Sequence, residues 1–159
     1  MKIFITGASG FIGSNLANFF SRKKNTIICN YYKRKISFKG VSIKKLSLLN
    51  KINLNEKIDA IIHCASKTPV NCSNNYTIYN ENLKMMNSLI DLAIKKNIKK
   101  FVFLSSVSVY GKINKRLLKE SYKPKRPNLY GRSKLLCENA LNELVKHNID
   151  FISIRLPVV

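Results

Sequence analysis

Three glycines spaced three residues apart form the first pattern with a chemical use. Residues 6–13 read TGASGFIG, which places Gly7, Gly10 and Gly13 in G-x-x-G-x-x-G. In such a turn the first glycine permits a sharp bend, the second lets backbone N–H groups approach a diphosphate, and the third lets a helix pack closely on a strand. The pattern predicts a dinucleotide site at a helix start. A glycine-rich turn that binds nothing is the alternative.

A tyrosine and a lysine four residues apart form the second pattern. Tyr130 and Lys134, in YGRSK, would share one face of a helix. A nearby ammonium lowers the pKa of a phenol, so the phenolate can act as a general base or acid on an alcohol or ketone. About one accidental match of this spacing is expected by chance, and Tyr31 with Lys35 is a second one. We prefer Tyr130 because it opens a long predicted helix, whereas Tyr31 ends a strand.

Three serines follow the apolar run FVFL, which reads as a buried strand. They are Ser105, Ser106 and Ser108. Polar groups at the carboxyl end of a parallel strand face the ligand crevice of an α/β sheet. A hydroxyl there could hydrogen-bond a reacting oxygen beside the tyrosine. The alternative is that the serines only end the strand.

Alternating strands and helices must position these residues. Apolar patterns predict strands at 2–6, 26–31, 41–46, 59–64, 101–104 and 150–154, and helices at 11–22, 76–96 and 129–147. Such alternation implies right-handed crossovers and a parallel sheet. We predict one α/β domain over residues 1–159, a Rossmann-like doubly wound sheet in three αβα layers. Two X-Pro pairs make 111–128 irregular, and a loop that long usually serves a site.

Composition and charge bear on the size of the core, on membrane insertion, on metal binding and on the charged partners to consider. The chain has 159 residues, of which 45% are hydrophobic, enough for one packed core. A net charge of +21 raises nucleic acid or an anionic membrane as partners. The basic residues are spread along the chain, so compositional bias is the better explanation. The uncharged stretch 3–21 is interrupted by polar residues and glycines, which argues against membrane insertion. The four cysteines have no metal-ligand spacing, so we expect free thiols in a reducing cytoplasm and no metal.

The residues after the second strand bear on which dinucleotide would bind. NAD sites normally place a carboxylate here to accept ribose hydroxyls, but no Asp or Glu precedes Glu56 and Asn30 stands at the expected place. The following Lys33, Arg34 and Lys35 could hold a 2′-phosphate. The sequence therefore favours NADP over NAD. A solvated basic loop is the alternative.

Together these segments resemble the extended short-chain dehydrogenase/reductases, the NAD(P)-dependent epimerase/dehydratase family of sugar-nucleotide enzymes. TGASGFIG is similar to the family's glycine motif, and DAIIHCAS to its fourth-strand D-x-x-x-H-x-A-A. KKFVFLSSVSVYG is similar to its serine strand, PNLYGRSK to its tyrosine–lysine helix and IRLPVV to the start of its R-P-x-x-V-Y-G-P loop. Asn82 matches the Asn that opens the family's next helix.

The resemblance implies roles for individual residues. Tyr130 becomes the catalytic acid/base, Lys134 its partner that also binds the nicotinamide ribose, and Ser106 the hydroxyl that positions substrate. Ser106 is preferred over Ser105 because of its spacing from Gly111. Cofactor contacts are implied for a larger set: Gly7, Ser9, Gly10, Phe11, Ile12, Gly13, Asn30, Lys33, Arg34, Cys64, Ala65, Ser66, Asn82, Tyr130 and Lys134.

Departures from the family pattern narrow the interpretation. Val107 and Ser108 replace the Asp-Glu pair of the dehydratases, which argues against that subclass. Residues 46–50, LSLLN, replace G-D-L-x-D and lack the Asp that contacts adenine. Family members are much longer, so we expect a truncated or split product, or an excised cofactor domain, with the substrate lobe largely missing.

The resemblance implies NAD(P)-dependent hydride transfer on a sugar nucleotide or a related alcohol or ketone, as in an epimerase or reductase. A catalytically silent cofactor-binding fragment or regulator is the alternative. Nucleic-acid binding is a remote third, since no RNP-like strand or helix-turn-helix pattern supports it. The family also implies a possible homodimer through the helices 76–96 and 129–147.

Overall fold

The computed structural model describes residues 1–68, 75–112 and 117–157. Cys72 and the last two residues of the R-P-x-x-V-Y-G-P match lie outside these ranges. Along the chain the regular elements are β1 (Lys2–Thr6), α1 (Phe11–Ser21), β2 (Thr26–Tyr31), β3 (Val41–Lys45), β4 (Ala60–His63), α2 (Asn75–Lys95), β5 (Lys100–Ser106), α3 (Leu129–Ala140) and β6 (Asp150–Leu156). The described residues also form two 3₁₀ helices, Val107–Tyr110 and Leu141–His147.

The six strands form one parallel sheet in the order β3-β2-β1-β4-β5-β6. This order confirms the predicted doubly wound α/β class, because the chain moves outward from β1 in both directions. The carboxyl ends of β1 and β4 are neighbours at the centre, where a ligand crevice forms in such sheets.

Apolar side chains on both faces of the sheet explain why helices cover both. In β1, Phe4 faces the core shared with α2 and α3, whereas Ile3 and Ile5 face the core under α1. All three are nearly or fully buried. Period-two alternation between two buried faces is what a central parallel strand requires, and it produces the predicted three layers.

Several predicted bounds shift by one or two residues, the strand 150–154 extending to Leu156, and two of the corrections bear on the site. The predicted helix 129–147 changes to a 3₁₀ helix at Leu141. The side chains of Leu141 and Leu144 are both fully buried. They are three residues apart, which is one full turn of a 3₁₀ helix, so they lie on the same face. The predicted strand 101–104 extends to Ser106, so Ser105 and Ser106 lie inside β5. A register of seven paired residues with β6 carries the strand this far.

Helix α3 begins against the exit of β5, and Gly131 makes this approach possible. Asn128 caps the helix, its side-chain oxygen accepting from the Gly131 N–H at 2.8 Å. A Cβ on Gly131 would overlap the backbone carbonyl of Ser108 and come within 3.0 Å of the Pro127 Cβ. The positions of Tyr130 and Lys134 therefore depend on the close contact between the backbones of Gly131 and Ser108.

Among the described residues, no helix has both the length and the apolar character that a membrane span needs. The same residues contain no group of three His, Cys, Asp or Glu side chains placed to hold a metal ion.

Replacing Gly131 by alanine tests this contact. Helix propensity alone predicts stabilisation by about 1 kcal/mol, but the overlap with Ser108 predicts destabilisation by about 1–3 kcal/mol. Thermal unfolding of Gly131→Ala should therefore show a lower Tm, by about 2–4 °C per kcal/mol. Gly40→Ala is the control, since its Cβ would meet nothing within 4 Å and only its positive φ of 72° opposes the change. A Gly131→Ala variant as stable as the parent chain contradicts this packing.

Candidate active site

A cleft of about 520 Å³ opens at the carboxyl ends of β1, β2 and β4. Eight of the predicted cofactor-contact residues line it, namely Gly7, Ser9, Gly10, Asn30, Lys33, Cys64, Ala65 and Ser66. They come from three separate segments of the sequence, which the sheet order brings to one edge. The cleft thus lies where the fold predicts a ligand.

The glycine turn between β1 and α1 brings three backbones together. Gly7 has φ of 68°, and a Cβ there would come within 2.5 Å of the Ala65 nitrogen. A Cβ on Gly13 would overlap the Gly7 carbonyl, so the first and third glycines pack directly on one another. Gly10 is the N-cap of α1, and no side chain caps the helix. Its positive end can therefore be approached by an anion.

Asn30 has a positional role that the sequence did not predict. It is 4% exposed, its Oδ1 accepts from the Gly7 N–H at 3.1 Å, and its Nδ2 donates to the Leu46 carbonyl at 3.0 Å. A carboxylate could make only the first of these bonds, because it has no donor. The amide ties the glycine turn to the end of β3.

Thr6 and His63 fix the loop that follows β4. The Thr6 Oγ1 accepts from the N–H groups of Cys64 and Ala65, both at 3.2 Å, and lies 2.7 Å from the His63 Nδ1. Burial, aided by the charge of Lys134, lowers the pKa of His63 to about 3. Neutral His63 can then accept the Thr6 proton. Thr6 lies in the TGASGFIG motif and His63 in the DAIIHCAS motif, so these motifs could have identified both residues as part of the site.

The basic cluster after β2 divides between two places. Lys33 lines the cleft, whereas Arg34 and Lys35 line an adjoining groove of about 390 Å³. Ser9 and Gly10 belong to both, so the groove continues the cleft past the glycine turn. Phe11, another predicted contact, lies in this groove and is 74% exposed. Ile12 and Gly13 line neither cavity.

Lys134 is a buried cation beside Tyr130. It is 4% exposed, donates from Nζ to the Leu104 carbonyl at 2.8 Å, and lies 4.8 Å from the Phe103 ring centroid and 5.7 Å from that of Tyr130. Burial lowers its pKa to about 8. The predicted helix spacing therefore does bring the ammonium to the phenol ring.

The pKa of Tyr130 differs from the expectation. Burial raises it, and a hydrogen bond from the side chain of Ser66 acts in the opposite direction with a smaller effect. The pKa of Tyr130 is therefore raised above its usual value, where the sequence predicted that the neighbouring ammonium would lower it. At neutral pH, where Lys134 is charged, its field still favours the phenolate.

The serines of β5 point to different surroundings. Ser106 caps the 3₁₀ helix Val107–Tyr110, accepting from the Ser108 N–H at 3.1 Å. Ser105 instead donates to Glu138 at 2.5 Å, and Glu138 binds Arg155 through both carboxylate oxygens at 3.0 and 2.7 Å. The Ser105 hydroxyl therefore donates to a carboxylate that forms an ion pair between α3 and β6. The two serines lie in one strand, so their side chains alternate.

Asn82 lies beneath the cleft and does not line it. It is 3% exposed and bonds the loop after β4 through the Lys67 N–H at 2.8 Å and the Lys67 carbonyl at 3.0 Å. Its Nδ2 also donates to Ser133 on α3 at 3.1 Å. These bonds link the cleft wall to helix α3, and a contact between Asn82 and a cofactor stays a prediction.

Other cleft residues were not predicted from the sequence. Leu48 and Leu49 belong to the LSLLN segment that departs from the family motif, and they line the cleft with Tyr31 and Tyr32. The departure from the family motif drew attention to this segment, but the sequence did not show that it lines the cleft. An ion pair between Lys67 and Glu81, 2.9 Å apart, forms part of the wall; it joins residues far apart in sequence.

Comparison with known proteins adds to this geometry. Residues 3–159 match the model of the NAD dependent epimerase/dehydratase family. The chain is 28% identical over 176 residues to the UDP-glucose 4-epimerase of Caenorhabditis elegans, covering 93% of this chain and 50% of that protein. It is 31% identical over 151 residues to the GDP-6-deoxy-D-talose 4-dehydrogenase of Aggregatibacter actinomycetemcomitans, covering 90% and 48%. The chain spans about half the length of these curated relatives.

Solved structures show the same fold. A crystal structure of a UDP-glucose 4-epimerase has a TM-score of 0.88 at 22% identity, covering 98% of this chain and 51% of that chain. The UDP-glucose 4-epimerase from Bifidobacterium longum in complex with NAD+ and UDP has a TM-score of 0.87 at 22% identity, covering 98% and 52%.

The buried ammonium makes stability depend on pH. Below pH 8 Lys134 is charged in both states, so its burial opposes folding. Between pH 8 and 10.5 the folded chain has lost a proton that the unfolded chain still holds, so the free energy of unfolding gains a contribution that rises with pH. Urea unfolding should show Lys134→Met most stabilised relative to the parent below pH 8, on the order of 3 kcal/mol at most, and less so toward pH 10.5. Lys84→Met, on the exposed side of α2, is the surface-charge control. A difference independent of pH contradicts the burial argument.

Proposed function

The chain belongs to the NAD dependent epimerase/dehydratase family, and from that premise we propose that it binds NAD(P) in the cleft and carries the proton-transfer group for hydride transfer at a sugar carbon. The observation that carries the proposal is spatial. The loop after β4 lines the cleft beside the glycine turn, and hydrogen bonds lead from its Lys67 backbone through Asn82 and Ser133 to the Tyr130 carbonyl.

The cleft fits a dinucleotide. The close packing of Gly7, Gly13 and Ala65 leaves backbone where side chains would otherwise stand, and the uncapped start of α1 offers N–H groups and a positive end to a diphosphate. The adjoining groove adds Arg34 and Lys35, whose charges suit a 2′-phosphate. These contacts support a cofactor with two linked phosphates.

The residues around Tyr130 suit acid/base chemistry. Bound NAD(P) would supply a hydride acceptor and donor. Tyr130 would take the proton of the substrate hydroxyl on its phenolic oxygen and return it, while the charge of Lys134 favours the phenolate in a site of low polarity. Ser106, at the carboxyl end of β5, is proposed to hydrogen-bond the same substrate oxygen. Val107 and Ser108 follow Ser106, where the dehydratases have an Asp-Glu pair, and this supports an epimerase or reductase over a dehydratase.

The names of the relatives support a nucleotide sugar as substrate. A UDP-glucose 4-epimerase and a GDP-6-deoxy-D-talose 4-dehydrogenase both act at a sugar C4 position by their names. Because the chain spans about half of each, turnover by these 159 residues is itself part of the proposal. Association of two copies through α2 and α3 also stays a prediction.

Replacing Tyr130 by phenylalanine tests the proton-transfer role. The variant keeps the ring but loses the hydroxyl, so turnover of nucleotide sugars should fall by roughly 10²-fold or more while cofactor affinity is kept. Initial rates with UDP-, GDP- and dTDP-sugars measure the first, and calorimetry the second. Tyr31→Phe is the matched control, because it removes a hydroxyl from the other Tyr-x-x-x-Lys match.

Equal losses in both variants would show that the wrong pair was assigned. Cofactor binding without turnover in the parent chain would favour a silent cofactor-binding fragment, the second candidate function, which the half-length coverage supports.

Cofactor preference gives a separate test. With neutral Asn30 at the end of β2 and Arg34 in the groove, NADP should bind more tightly than NAD in calorimetric titrations. Arg34→Ala should weaken NADP binding by about tenfold or more, the effect of losing a charge-assisted hydrogen bond, and leave NAD binding unchanged. Arg22→Ala, an exposed residue just after α1, is the control for loss of charge. A preference for NAD, unaffected by Arg34→Ala, would reverse the assignment.

A further inference from the structure

Two oppositely charged residues of α3 are close enough along the helix to pair, yet each is held by another partner. Lys134 and Glu138 lie four residues apart, a spacing that makes two side chains of a helix neighbours. The Lys134 Nζ donates instead to the Leu104 carbonyl at 2.8 Å. Glu138 pairs with Arg155, whose Nη2 lies 2.7 Å from its Oε2. The carboxylate is thus directed away from the ammonium that lies beside Tyr130.

We propose that Arg155 is a positioning residue that holds the Glu138 carboxylate against β6, so that the Lys134 ammonium keeps a neutral carbonyl as its partner. The proposal rests on the proposed function for the use of that ammonium, because its field on the phenol matters only if Tyr130 transfers a proton. Its geometric content concerns one ion pair and its neighbours. It can therefore be tested without substrate or cofactor.

The register of β5 and β6 explains how the carboxylate is held. Ser105 and Arg155 are partners in the two strands, so their side chains leave the sheet side by side on one face. Ser105 donates to the Glu138 Oε1 at 2.5 Å. Arg155 donates to the same oxygen from Nε at 3.0 Å and to Oε2 from Nη2 at 2.7 Å. Three donors thus occupy both oxygens, two of them in the bidentate arrangement that a guanidinium offers a carboxylate.

The guanidinium of Arg155 is itself fixed from another side. Its central carbon lies 4.7 Å from the ring centroid of Tyr110, which is 8% exposed, and a cation over an aromatic face is attracted by the ring. The side chains of Glu138 and Arg155 are only 10% and 23% exposed, so water cannot readily replace either partner. The hydrogen bonds to Glu138 raise the pKa of Arg155. The guanidinium therefore stays charged over the range in which Lys134 titrates.

Loss of Arg155 would release the carboxylate toward the ammonium. Ser105 alone would remain as a donor to Glu138, and one neutral hydroxyl cannot replace the cation of a nearly buried pair. Helical side chains point back toward the start of their helix, so a change of rotamer would bring the carboxylate to Lys134, four residues earlier. An opposite charge there favours the ammonium and cancels much of its field at Tyr130.

Other titratable groups also face the Lys134 ammonium. They are the Tyr130 phenol and the Cys137 thiol on α3, and His63 and Cys64 at the end of β4. Burial raises the pKa of both thiols to about 12, raises that of the phenol, and lowers that of the histidine to about 3. Strand β5 contributes the Phe103 ring and the Leu104 carbonyl, which do not titrate. These groups keep one charge state near pH 8, so a change made at Arg155 would act on Lys134 through Glu138.

The test is a titration of Lys134 by carbon NMR on the full chain, without cofactor or substrate. Lysine isotopically labelled at Cε reports the charge of each ammonium, and Lys134→Met assigns the signal. The parent chain should titrate near a pKa of about 8. Arg155→Met keeps an apolar stem beside Tyr110 but removes the charge and its donors. The Lys134 pKa should then rise by about one unit or more, the effect of an opposite charge at close range.

A double variant with Arg155→Met and Glu138→Gln separates release of the carboxylate from a general loosening of α3. Without a carboxylate, the Lys134 pKa should stay within about 0.5 units of that in Glu138→Gln alone, whereas a helix loosened into water would raise it in both backgrounds. Arg155→Lys retains a cation for Glu138 and should keep most of the parent value. Arg132→Gln, at an exposed position of the same helix, is the control for loss of charge and should leave the titration unchanged.

The proposal is overturned by an Arg155→Met titration within about 0.3 units of the parent, by a rise that persists undiminished when Glu138→Gln is added, or by an equal rise in Arg132→Gln. Thermal unfolding checks that each variant folds. Should Arg155→Met fail to fold, Arg155→Gln makes the same comparison, because its amide offers Glu138 a neutral donor in place of the cation. Full turnover in Tyr130→Phe would contradict the proposed function but leave this titration result intact.

Discussion

The close approach of three backbones at Gly7 is the constraint on which the rest of the site depends. The exit of β1, the exit of β4 and the start of α1 meet where no side chain fits at Gly7 or Gly13. Asn30 brings the end of β2 to the same point by accepting from the Gly7 N–H. The cleft exists because these chain segments converge with backbone, and not side chains, on its surface. Substitution of either glycine would therefore displace backbone that forms a wall of the cleft.

Helix α3, which carries Tyr130 and Lys134, is attached to this centre by buried polar groups. Thr6 holds the β4 loop through the Cys64 and Ala65 N–H groups, and Asn82 continues the attachment from Lys67 to α3. An apolar contact would allow the helix to slide, because dispersion forces have little direction. Hydrogen bonds with a single satisfied orientation do not allow this. The distance between the cleft and Tyr130 is thus set by directional bonds between elements far apart in sequence.

The sequence predicts the fold well because the signals are local. Strands apolar on both faces, helices between them and a glycine turn at the first junction are all visible within short windows, and their alternation implies the doubly wound parallel sheet. What could not be predicted depends on contacts between distant residues. Asn30 as a bridge requires the register of β2 with β3. The commitment of Ser105 to Glu138 requires the packing of α3 on β5. The raised pKa of Tyr130 requires knowledge of its burial, which a four-residue spacing does not contain.

Burial of Lys134 shows how stability and chemistry oppose one another at this site. Removing an ammonium from water costs free energy, and the Leu104 carbonyl compensates only in part, as the lowered pKa shows. The same low polarity strengthens the attraction between that charge and a phenolate at Tyr130, whose ring centroid lies 5.7 Å from the Lys134 Nζ; in water this attraction would be nearly screened. A lysine in a carboxylate pair would be more stable but would have its field neutralised. A buried ammonium held by a neutral carbonyl keeps its field available, and the oxygen that develops negative charge when a proton leaves is that of Tyr130.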